Sequence, residues 1–208
     1  MSEARDRFLA LLREQLAPRL RASGFKGSGQ NFLRIRGDTI NAVNIQGSRF
    51  ADECCVNLGI HFTFLPPTWA VEPRVVEKWR EPDCEFRWRL SPREKYDHWW
   101  RYGTTTTETV ETASDLVSTY LTIGEPLMER FSRVEAIVEA LSPSSIQDPR
   151  NTAVPWTKPT VLHALALARI HSHLGNLRLS REYAQVGLAT LGKFTAYKPA
   201  LEELANAT

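Results

Sequence analysis

Between Asn31 and Phe64 the chain reads with a period of two. In CCVNLGIHFTF, Cys54, Val56, Leu58, Ile60, Phe62 and Phe64 share one side of an extended strand, while Cys55, Asn57, Gly59, His61 and Thr63 share the other. Side chains alternate across a strand, so the pattern predicts a sheet with one buried apolar face and one polar face. The polar face is built from amide, imidazole and hydroxyl groups rather than lysines and glutamates. It is the first place to look for a site.

Helical spacing precedes this stretch. Phe8, Leu9, Leu11, Leu12, Leu16 and Leu20 recur at three- and four-residue steps, with Arg7, Arg13, Glu14, Arg19 and Arg21 opposite. Ser2 suits the N-cap and Gly24 the stop, and Pro18 predicts a kink or break near Gln15–Ala17. Gly27, Ser28 and Gly29 are expected to turn into a strand at Asn31–Arg36. Gly37-Asp38 then closes a hairpin onto Thr39–Gln46. The third strand is Cys54–Phe64, ended by Pro66-Pro67. A crossing loop with a short helix at Pro73–Trp79 leads to a fourth strand, Glu85–Leu90, and the aromatic run Tyr96–Tyr102 is expected to cover a sheet edge. Beyond Glu108 the spacing is helical: Thr109–Ile123, Glu125–Leu141, Lys158–Leu174, Leu179–Leu191 and a short helix near Pro199–Asn206. The fold class expected is α+β, an N-terminal helix on an antiparallel sheet of about four strands followed by a mainly helical C-terminal half.

Composition agrees with a folded domain: 42% of residues are apolar and 24% charged. No apolar run approaches the ~20 residues of a membrane span, and the charged start MSEARDRF lacks a signal-peptide core. The three cysteines, Cys54, Cys55 and Cys84, suit no disulfide framework, and a reducing cytoplasm is the expected compartment. The net charge is only +2. Residues 1–50 hold nine basic and four acidic side chains, but the excess is scattered and argues against a nucleic-acid partner.

Metal and nucleophile chemistry find little support. His163, His171 and His173 miss the three- or four-residue step of a helical zinc site. There is no GxSxG, nothing activates a cysteine, and GSG at 27–29 leads into a strand instead of a phosphate-binding helix. No cofactor, metal or catalytic residue is assigned. The polar sheet face is the better candidate: Asn44, Gln46, Asn57, His61, Arg87 and Arg89 would project together if strands two to four share a sheet. Amides donate and accept, and arginine offers a fork for carboxylate or phosphate. The same set would equally serve as a polar packing network. RWRL at 87–90, with Trp79, Trp99 and Trp100, mixes rings and cations, as partner surfaces and sheet-edge covers both do. Trp99 and Trp100 are the candidate partner-binding residues.

Five short patterns occur in a recognisable order: GF at 24–25, Phe32, NAVNIQGS at 41–48, VNLGI at 56–60 and CEFRWRL at 84–90. Over about residues 7–140 the chain resembles the bacterial DUF4304 family, a domain of unknown function. The resemblance implies an α+β domain with a leading helix and an antiparallel sheet. It brings no activity and no catalytic residues. Further on, residues 164–192 resemble a single tetratricopeptide-type helical pair, with Ala164, Ala168 and Ala184 allowing close approach and Gly175-Asn176 making the turn. One unit cannot stand alone, so it must pack elsewhere.

The expected organisation is an α+β domain over 1–141, a proline-containing linker at 142–157, and a helical segment at 158–208 docked on that domain through Leu174, Leu177, Leu179 and Phe194, with homodimerisation as the alternative. The functional expectation is a cytoplasmic binding or regulatory module acting through a protein partner, immunity- or stress-associated. Its rival is a small-molecule or anion (nucleotide-like) binding protein, or an enzyme, using the polar face.

Overall fold

The computed structural model describes residues 3–66, 75–93, 97–148 and 158–207. Ser2, Pro73, Tyr96 and residues 149–157 of the expected linker lie outside them.

Apolar spacing folds the N-terminus into α1 (Glu3–Gln15), whose Phe8 and Leu12 are buried. Pro18 cannot donate a backbone N–H, so the helix breaks and restarts as α2 (Ala17–Ala22), with the proline in its first turn. Gly24, at φ +89°, reverses the chain, and the Phe25 N–H donates to the Leu20 carbonyl at 2.9 Å, a glycine-capped helix end.

The sheet is antiparallel and, among the described residues, has six strands: β1 (Lys26–Ser28), β2 (Asn31–Arg36), β3 (Thr39–Gly47), β4 (Glu53–Phe62), β5 (Phe86–Arg89) and β6 (Trp100–Arg101). The first five lie in sequence order, and β6 pairs with the start of β4. Two strands exceed the expected count. Lys26–Ser28, expected to be turn, is a short edge strand beside Leu33–Asn31. Trp100–Arg101, expected to cover an edge, joins it through Cys54 and Glu53. β4 stops at Phe62, where the chain turns and the Leu65 N–H donates back to the Phe62 carbonyl at 2.9 Å. Gly37-Asp38 closes the β2–β3 hairpin as expected, with Gly37 at φ +54°.

Register assigns the faces. Val43, Ile45, Val56, Leu58, Ile60, Phe62, Phe86 and Trp88 share the core face and are all buried. Against it stand α3 (Thr106–Thr119), capped by Thr105 and Glu108, and α4 (Glu125–Phe131). A π turn at Tyr120–Gly124 joins them and brings the Gly124 backbone close to Leu58 and Leu90, so that a β-carbon there would lie 3.2–3.3 Å from their methyl groups. α5 (Val134–Ala140) and α6 (Pro143–Gln147) follow, the latter within the stretch read as linker.

α7 (Thr160–His173) is buried on nearly every side, in keeping with its apolar sequence VLHALALA. It packs on α8 (Leu177–Ala189), and α9 (Lys198–Asn206) packs on both. Tyr183 donates its hydroxyl to the Leu141 carbonyl, and the rings of Phe86 and Phe64 stack on His163 and His173. Leu179 and Phe194 are half-buried against the main core, while Leu174 remains 49% exposed.

Candidate functional site on the polar face of the sheet

Cross-strand register builds an amide row. Asn31 pairs with Asn44, Asn44 with Asn57, and Asn57 with Arg89, so four polar side chains cross β2, β3, β4 and β5 in line. The Asn44 Nδ2 donates to Asn31 Oδ1 at 2.9 Å, and the Asn57 Nδ2 donates to Asn44 Oδ1 at 3.2 Å and Gln46 Oε1 at 2.9 Å. Arg89 Nε donates to Asn57 Oδ1 at 3.3 Å. Its Nη1 is bidentate to Asp97 at 2.6 and 2.7 Å, and its guanidinium lies 4.9 Å from the Trp99 ring centroid. Trp99 in turn donates its indole N–H to Asp97. Each amide meets its neighbour because antiparallel pairing fixes their Cβ atoms close together.

The adjoining part of this face is closed by residues 75–85, which form a strap of two short 3-10 turns, Val76–Lys78 and Glu81–Asp83. Trp79 stacks on His61 with ring centroids 4.1 Å apart and completes a small apolar cluster with Ile40, Ala42 and Cys84. His61 Nδ1 bonds Glu85, and Arg87 grips Glu81 with both ends of its guanidinium, Nη2 to Oε2 at 3.0 Å. His61, Glu81 and Glu85 are all at least 96% buried. Polar groups that deep need hydrogen-bond partners, and here each has one. Gly59 supplies the notch: a β-carbon there would lie 2.8 Å from the Cys84 sulfur. From α7's entrance the Lys158 ammonium donates to the Pro82 carbonyl at 3.4 Å, and burial, with Arg87 nearby, lowers its pKa to about 8.

The expected site therefore divides. Asn44, Gln46, Asn57 and Arg89 come together in one row, whereas His61 and Arg87 belong to the strap's ion pairs. Asn57 and His61 do point away from the core, but they are 6% and 2% exposed, so the polar side of β4 is covered. Trp99 and Trp100 do not form one surface. Adjacent residues of a strand face opposite ways, and Trp100 is buried in the main core with its indole N–H on Asp115, while Trp99 is half-exposed.

Glu81, Glu85, Asp97 and Asn31 were not singled out by sequence reasoning, and Trp79 was noted only as one of the rings near RWRL. Glu85 had a signal, since Glu85, Arg87 and Arg89 alternate on one face. Asp97 and Glu81 had none, because the loops that return them are not periodic. A second buried charge lies on the core face: Arg34, 1% exposed, donates to Asn41 at 2.9 Å and the Ser23 carbonyl at 3.2 Å and pairs with Glu129.

Burial pushes the Cys54 and Cys55 thiols up to about 12 and 11, and Cys84 well above its ordinary value, so none is poised as a thiolate. His163, His171 and His173 each lie against a different ring, Phe86, Tyr183 and Phe64. Among the described residues no group of three or more His, Cys, Asp or Glu side chains could hold a metal, and no helix is long and apolar enough to cross a membrane.

A family model described as Domain of unknown function (DUF4304) matches residues 16–130. The chain belongs to this family. The DUF4304 match, narrower than the 7–140 of the resemblance, spans the whole sheet, the amide row and the strap, and ends before α5 and the helices from α7 onward. No curated protein and no solved structure gives a match.

Proposed function

We propose that this protein is a binding module acting through protein contact, and that the open amide row is its contact surface, together with Trp99 and the β3–β4 loop. The observation that carries the reading is Phe50, 98% exposed at that loop, a few residues beyond Gln46. A phenyl ring wholly in water contributes nothing to the fold, and aromatic anchors beside arginine and amides are the composition of interface centres. The loop encloses a shallow bowl of about 650 Å³ lined by Gln30, Ser48, Arg49 and Phe50. An anion or nucleotide-like ligand held by the arginines along the amide row would need one of them to spare. Arg89 is engaged by Asp97 and Arg87 by Glu81. Three buried thiols suit a reducing compartment, which supports a cytoplasmic location for the module.

The test is a photo-crosslinking residue at position 46, used in cells of the source organism. One discrete cross-linked protein is expected, lost in Phe50→Ala and Trp99→Ala variants that melt as the parent does. The same crosslinker at exposed Ser114 on α3 should give none. Absence of a discrete product at position 46, or a product indifferent to both variants, overturns the proposal.

A further inference from the structure

The strap covers β3 and β4 and stops short of β2. Leu33 and Ile35 lie on the same face as Ala42 and Ile40, their register partners, but only the latter two are buried beneath Trp79. Leu33 is half-buried and Ile35 is 44% exposed. Between this uncovered apolar strip and the strap runs a cleft of about 570 Å³. Three cations line it. Lys26 is the register partner of Leu33 and so shares its face, while Lys78 and Arg80 come from the strap across the gap. All three are exposed, and none forms an ion pair among the described residues. The carboxylate that also lines the cleft, Glu81, is 3% exposed and committed to Arg87.

We infer that this cleft is a binding site for a small organic anion with an apolar body, a carboxylate, sulfonate or phosphate on an aromatic or branched aliphatic frame. The volume falls within the range that small-molecule sites occupy, roughly 300–1,000 Å³, and the division of labour is the usual one: apolar walls for affinity, a few charged groups for orientation. Leu33, Ile35 and Trp79 receive the body. Lys26, Lys78 and Arg80 converge on the charge from both banks, where charge-assisted hydrogen bonds are the strong kind. The polar face thus takes an anion at its apolar corner, beside β2, and not at the arginines of the amide row. The site meets the protein-contact surface only at Asn31, which borders both, and its cations and apolar wall lie outside that surface, so it stands or falls without it.

The experiment uses the full chain, isotopically labelled, titrated with anilinonaphthalene sulfonate and followed by nuclear magnetic resonance. Saturable binding is expected, with the largest amide shifts at Lys26, Leu33, Ile35, Lys78 and Arg80. The combined variant Lys26→Gln, Lys78→Gln, Arg80→Gln alters exposed side chains only and should stay folded, yet weaken binding by roughly tenfold or more as the charge-assisted contacts go. Ile35→Glu should abolish it, and the uncharged anilinonaphthalene should bind far more weakly. Shifts centred elsewhere, unchanged affinity in the triple variant, or equal binding of the uncharged analogue each overturn the assignment.

Discussion

Leu58 and Asn57 are neighbours in β4 and look out on opposite faces of one sheet. Leu58 is fully enclosed in the main core, opposite Trp88 in β5 and against the Gly124 backbone, held by apolar burial. Asn57 is nearly as buried, yet its amide donates to Asn44 and Gln46 and accepts from Arg89. The core face excludes water by packing. The other face does so with the strap, where Glu85 holds His61 and Glu81 holds Arg87, and leaves Asn31, Gln46 and the β2 corner open. Burial is common to both faces; what differs is whether the buried groups constrain one another by shape or by hydrogen bonding.

The two faces should break differently. Leu58→Asp places an unpaired carboxylate in the core and should cost more than about 5 kcal/mol, on the scale of a domain's whole stability. Loss of the cooperative thermal transition measures it. Glu85→Ala removes the partner of His61 under Trp79 and should cost about 3 kcal/mol by denaturant melts, because it breaks a buried pair and leaves one half behind. Gly59→Ala drives a methyl into Cys84 and should cost about 2 kcal/mol while loosening the strap, seen as faster amide exchange over 75–85. Asn57→Ala, in the row where neighbours still reach water, should cost about 1 kcal/mol.

Lys158 gives the smallest effect and a pH signature. Its folded-state pKa is depressed from 10.5 to about 8, so between those values the unfolded chain binds more protons and stability rises with pH. Below pH 8 the cost of burying the ammonium is carried in full. Lys158→Met should therefore be the more stable protein at pH 7, by about 0.5–1 kcal/mol after loss of the hydrogen bond to Pro82, and this advantage should vanish between pH 8 and 10.5.

Periodicity made the sheet legible. Alternation in β4 and β5 and the Gly37-Asp38 turn are local signals, and they placed Asn44, Gln46, Asn57 and Arg89 on one side before any register was known. Periodicity reports which groups share a face, though not what covers it. The strap is aperiodic and interrupted by Pro82, so nothing in the spacing announced that Trp79 would cap His61 or that Glu81 would return to Arg87. β1 and β6 are three and two residues long, too short to show a period, and each exists only because a longer strand offers an edge. Trp99 and Trp100 were joined as a surface by composition, and strand geometry separates them.

The central claim is that the polar face has a closed half under the strap and an open half along the amide row. The most direct measurement is native-state thiol reactivity toward an aromatic disulfide reagent. Cys54, Cys55 and Cys84 are all buried, Cys55 beside Asn57 and Cys84 under the strap, so the native protein should show no fast-reacting thiol and three once denatured. A Gln46→Cys variant should add one thiol that reacts at the rate of an exposed cysteine. Fast reaction of Cys84 in the folded protein, or protection of the thiol introduced at position 46, would contradict the division.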